Sequence, residues 1–224
     1  MNKLLIIVFL LFTSLTVYTQ GGYTFKVIKE NPITSVKNQN SSGTCWSFAG
    51  VGMLESELIR MGKGEFDLSE MYIVRRNYED KAIKYARLHG HLNFAAGGSF
   101  ADVVETIDQF GILPEEAYEG LSYGSVTHDH GELDKVLKGY MDGIIGARNV
   151  TPVWFDGFSA ILDTYLGEVP ETFIHEGKEY TPHTFREYLE INQNDYVSLT
   201  SFTHHPFYTS FPIEVPDNWR WATS

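Results

Sequence analysis

The one cysteine of this 224-residue chain, Cys45, stands at the start of a helical pattern. From it, Phe48, Val51, Leu54, Leu58 and Met61 recur at spacings of three and four, one apolar helical face, and Gly62 supplies a stop. A thiol in the first turn of a helix meets unpaired N–H groups and the positive end of the helix dipole, and both favour the thiolate. The thiolate is the form that attacks a carbonyl. Gly43, two residues earlier, lets the backbone come close to a substrate. Gln39, six residues earlier, carries a side-chain amide that can join the Cys45 N–H as an oxyanion hole. Together these groups point to acyl transfer.

The elements that must position them are mostly helical. An extended leader over 21–31 ends at Pro32, and the polar, glycine-containing stretch 36–44 reads as a loop. A second helix starts near Ser69 and runs through Met71, Val74, Tyr78 and Ile83 towards Gly90. A third starts after Ser99, with Asp102 three residues on as in a capping box, carries Val103, Val104, Ile107 and Phe110, and ends at Gly111. Further helices are predicted around 132–141 and 152–166, and Thr181-Pro182 opens a short one. The alternation over 196–202 predicts a strand.

With 43% hydrophobic and 14% aromatic residues, the chain can bury one good-sized core or two smaller lobes. A net charge of -12 argues against nucleic acid as a partner, because phosphates would be repelled, and gives no reason to bind an anionic membrane. Lys3, the apolar run 4–12 and the small and polar residues after it read as a signal peptide over 1–19, cleaved between Thr19 and Gln20. The apolar block is shorter than the roughly 20 residues a spanning helix needs, so no membrane association is expected after cleavage, and a secreted or periplasmic location follows. In such a setting a lone cysteine forms no internal disulfide. Its thiol is free and reactive, paired with another molecule, or buried and inert.

The stretch Gln39-Asn40-Ser41-Ser42-Gly43-Thr44-Cys45-Trp46-Ser47-Phe48 resembles the active-site signature of papain-like cysteine peptidases. Ser42 stands where many extracellular members have a cysteine, which points to the disulfide-free bleomycin hydrolase and aminopeptidase C branch. Gly97-Gly98-Ser99 resembles the glycine pair that lines the family's substrate cleft, and residues 199–208 and 215–219 look like stretches of that branch. The resemblance implies an α+β fold: mainly the helical lobe with a family-type helical insertion and the beginning of the β-rich lobe, within a domain over 20–224. It implies Cys45 as nucleophile, Gln39 as oxyanion donor, and Gly97, Gly98 and Trp46 in the substrate cleft, Trp46 chiefly by packing behind the thiol. It implies peptide substrates, trimming from the amino terminus, no cofactor, and a homo-oligomer of the kind related enzymes form.

The reaction also needs a base and a group to orient it, a histidine and an asparagine in this family. By the family spacing of roughly 130–150 residues after the cysteine, His175 and His183 are candidates. His175 sits in a polar, glycine-containing turn, and His183 in the first turn of a helix. Neither is followed by small apolar strand residues, so both the base and the asparagine are expected beyond Ser224, in a longer reading frame or a partner. The competing reading is a binding or assembly protein that keeps the cleft without the base. No metal set emerges: His204 and His205 are adjacent and diverge on a strand, and His128-Asp129-His130 is expected to be a solvated loop. Glu55, Glu57, Glu115 and Glu116 read as solvated helix faces.

Overall fold

In the computed structural model, which describes Tyr23 and residues 25–211, the chain divides at Asn31–Pro32 into two units. The described residues of the first carry no helix or strand and are exposed. In the second, α1 (Cys45–Arg60), α2 (Glu70–Arg87) and α3 (Phe100–Phe110) pack on one another, and α4 (Gly131–Gly146) and α5 (Trp154–Leu166) close the other side of α2. A hairpin, β1 (Phe173–His175) and β2 (Lys178–Tyr180), leads into α6 (Pro182–Leu189). Each helix expected from the apolar spacing is present. The predicted export segment and the stretch 215–219 lie outside the described residues.

Helix α2 is buried nearly all round, because four helices pack against it. Met71, Tyr72, Ile73 and Ala82 are fully enclosed. Its polar residues are therefore paired, as burial requires. Arg75 meets Asp163 at 2.7 Å and Glu79 at 3.3 Å, and Tyr78 donates to Asp134 at 2.5 Å. At its start, the Ser69 hydroxyl accepts the Tyr72 N–H at 3.0 Å.

Two sequence expectations change. The hairpin, too short for a period to show, turns on Glu176 (φ 50°) and Gly177 (φ 77°), the paired left-handed conformations of a tight two-residue turn. It places Phe173 opposite Tyr180, and both pack on Phe185 of α6. Residues 196–202 are not a strand: among the described residues none runs beside them to complete a ladder, and Val197 and Leu199 stay exposed. No helix of the described residues is long and apolar enough to cross a membrane.

Candidate active site

The loop into Cys45 is held at each step. Lys37 Nζ lies 2.5 Å from Asp67, 2.9 Å from Glu55 on α1 and 3.2 Å from Glu70 on α2. Asn40 turns the chain in a left-handed conformation (φ 49°) that asparagine tolerates, and its N–H bonds to Asn38 Oδ1 at 2.9 Å. Ser41 then pairs with the 128–130 segment, donating to the His128 carbonyl at 3.0 Å and accepting from the His130 N–H at 3.2 Å. The buried hydroxyls of Ser42 and Thr44 meet at 2.5 Å. Gly43 (φ 68°) brings the backbone against Ala96, where an added Cβ would stand 3.2 Å from the alanine methyl.

Helix α1 follows with the Cys45 thiol exposed in its first turn. Behind it, Trp46 is buried and donates its indole N–H to the Ala96 carbonyl at 2.9 Å. Gly98 lies flat on that indole: a Cβ there would come within 2.5 Å of the ring. Gly98, 52 residues along the chain from Trp46, thus packs on the residue that follows the thiol. The capping box expected at Ser99 is closed by Asp102, whose carboxylate accepts from the Ser99 N–H at 2.6 Å and hydroxyl at 2.7 Å. Gln39 is half-buried. Its Oε1 is buried without a hydrogen-bond partner among the described residues. An exposed thiol at a helix start is placed where the thiolate is favoured and can act as a nucleophile towards an acyl carbon.

Residues 24–141 match the papain family cysteine protease domain. The chain belongs to the papain family of cysteine proteases. Its relatives include aminopeptidase G of Lactobacillus delbrueckii subsp. lactis, 24% identical over 230 residues, which covers 84% of this chain and 52% of that protein. The mitochondrial cysteine proteinase 1 of Saccharomyces cerevisiae is 26% identical over 125 residues, 48% of this chain and 26% of the yeast protein. A viral cathepsin of Choristoneura fumiferana defective polyhedrosis virus is 34% identical over 70 residues, 31% of this chain and 22% of that protein. The first two agree with the aminopeptidase C and bleomycin hydrolase branch, and the helical body with its small hairpin agrees with the expected α+β papain-like fold. The chain spans about half the length of aminopeptidase G and about a quarter of the yeast protein.

The papain-family site also shows what the sequence did not separate. Among the described residues, no histidine is hydrogen-bonded to Cys45. His175 packs between Phe66 and Phe185, 3.7 Å from Glu116, and His183 is exposed in the first turn of α6. His204 and His205 stack with Phe202 and Phe211.

The expectation of a solvated loop at 128–130 is overturned: His130 is fully buried and His128 8% exposed, with Phe48 of α1 against the His128 ring. Pairing with Ser41 draws the segment inward. Burial, with some repulsion from His128, pushes the His130 pKa down to about 4, so the ring is neutral at pH 7.

Glu55 and Glu115 are not solvated faces either. Glu55 is 1% exposed, accepting from Thr34 at 2.5 Å and from the Leu68 N–H at 2.9 Å. Burial, with repulsion from Glu70, raises Glu115 to about 8. Burial raises Glu70 to about 7 against the pull of Lys37. Burial opposes the Lys37 charge too, but the bond to Asp67 and the charges of Glu70 and Glu55 outweigh it and hold the ammonium well above its ordinary value. One cation gains from several anions while each anion receives a share of one cation. Glu57 is paired with Arg60 at the surface, as the sequence suggests.

Sequence reasoning missed Lys37, Asn77 and Lys81. The sequence offered little signal, because Asn77 and Lys81 stand one turn apart among several other polar residues of α2.

Proposed function

We propose that this chain is the nucleophile-bearing part of a cysteine-type peptidase that cleaves peptide bonds through an acyl-enzyme at Cys45, with aminopeptidase-like trimming. The observation that carries the proposal is the exposed thiol in the first turn of α1, followed by Trp46, whose indole holds the Ala96 carbonyl and packs on Gly98. The thiolate adds to the substrate carbonyl, and the oxyanion accepts from the Cys45 N–H and Gln39 Nε2. The adduct collapses as the leaving amine takes a proton from the protonated base, and water, deprotonated by the same base, then releases the acid and the thiol. Gly97 and Gly98 hold the substrate backbone. Because the chain spans 52% of aminopeptidase G, we assign the histidine base and orienting asparagine to the sequence it does not span. The aminopeptidase preference takes support from the name of that relative. Lys3 and the apolar run 4–12 support export, with residues from 20 onward forming the mature domain.

The test uses the longest natural form of the protein. Iodoacetamide should abolish hydrolysis of aminoacyl reporter substrates, and Cys45→Ala should lower it by at least ~1,000-fold, as loss of a nucleophile does. Full hydrolysis by Cys45→Ala would refute the assignment. Peptide binding without covalent labelling by a peptidyl epoxide would favour a binding protein instead.

A further inference from the structure

The segment 95–98 has its three successive carbonyls held from two directions. Trp46 takes the Ala96 carbonyl at 2.9 Å. Lys81, half-buried on α2, donates from Nζ to the Ala95 carbonyl at 2.8 Å and also to the Gly97 carbonyl. One turn earlier on the same helix, Asn77 donates to Asp102 Oδ1 at 3.3 Å, and the other oxygen of that carboxylate holds Ser99. Residues 77 and 81 therefore grip the loop on both sides of the glycine pair. Among the described residues, neither the N–H nor the C=O of Gly98 is used internally. Glycines left to themselves would sample many conformations, and the chain has no second cysteine with which to staple this loop.

We propose that Lys81 is a positioning residue for substrate: its ammonium fixes the Ala95 and Gly97 carbonyls and so presents the Gly98 backbone to an extended peptide. The inference rests on the proposed peptidase reading. An ammonium suits the task, since its three donors satisfy several carbonyls that converge without a plane, where a guanidinium imposes one. The clamp acts on binding of the substrate backbone and leaves the thiol untouched.

The experiment compares wild type, Lys81→Met, Lys81→Arg and Lys84→Met, whose half-buried lysine pairs with Asp80 on the same helix. Two reagents label Cys45 in the longest natural form: a peptidyl epoxide, which needs the cleft, and iodoacetamide, which does not. Lys81→Met should slow epoxide labelling roughly tenfold, the factor of one charge-assisted hydrogen bond, and leave the iodoacetamide rate within about twofold. For a reporter peptide, KM should rise with kcat nearly unchanged. Lys81→Arg should recover part of the loss, and Lys84→Met should match wild type. Amide hydrogen exchange across 95–99 should quicken in Lys81→Met alone, with the melting transition retained. Wild-type epoxide and exchange rates in Lys81→Met would overturn the proposal. If the wild type itself resists the epoxide, the peptidase reading fails, and exchange across 95–99 still decides whether Lys81 holds the loop.

Discussion

Replacing Gly98 by alanine tests the packing that joins the glycine pair to the nucleophile helix. The new methyl carbon would stand 2.5, 2.6 and 2.9 Å from three atoms of the Trp46 indole, well inside contact distance. The φ of Gly98 lies outside the left-handed region, so the cost is steric alone. The indole cannot tilt away freely, because it is buried and bonded to the Ala96 carbonyl. Overpacking of this kind costs roughly 1–3 kcal/mol, and breaking the indole bond adds ~0.5–1.5 kcal/mol. The expected loss is about 2–4 kcal/mol, a fall in Tm of the order of 10 °C for a domain of this size. Gly52→Ala is the internal control. It lies within α1 with nothing within 4 Å of its added carbon, so it should gain ~0.5–1 kcal/mol from helix propensity. Urea unfolding followed by tryptophan fluorescence measures both. A Gly98→Ala protein within about 0.5 kcal/mol of wild type would refute the contact between the glycine pair and Trp46.

Three further outcomes are expected. Lys37→Met strands Glu55 and Glu70 without their cation and should cost about 3 kcal/mol at pH 8. The cost should shrink towards pH 5 as Glu70 takes up a proton, which comparison of unfolding curves at the two values would show. His130, with its folded pKa depressed to about 4 from 6.5, contributes stability present above pH 6.5 and lost as pH falls towards 4. Between pH 7 and 5 wild type should therefore lose about 2 kcal/mol more than His130→Leu, and equal losses would place the ring in water. Cys45→Ala should leave the unfolding transition within ~0.5 kcal/mol of wild type, as an exposed position allows, so that lost labelling reports chemistry and not fold.

Much of the candidate site was legible because its parts are local. Gln39, Gly43, Cys45 and Trp46 lie within eight residues, and the start of α1 follows from the apolar spacing after the thiol. The helices were legible for the same reason, since an apolar face 11 to 18 residues long repeats often enough to be read. The hairpin at 173–180 was too short to show a period, and alternation over 196–202 gave no ladder without a neighbouring strand.

What the amino-acid order determined by itself was the kind of chemistry: a thiol at a helix start, an amide and glycine before it, and a family signature around them. Only the tertiary structure decided which distant residues serve that loop. Lys37 gathers Glu55, Asp67 and Glu70, and Lys81 reaches Ala95 and Gly97. His128 and His130 turn inward because Ser41 pairs with their backbone. Charge and polarity along a sequence predict exposure; burial and the partners that permit it depend on which elements pack, and packing joins residues the sequence keeps far apart.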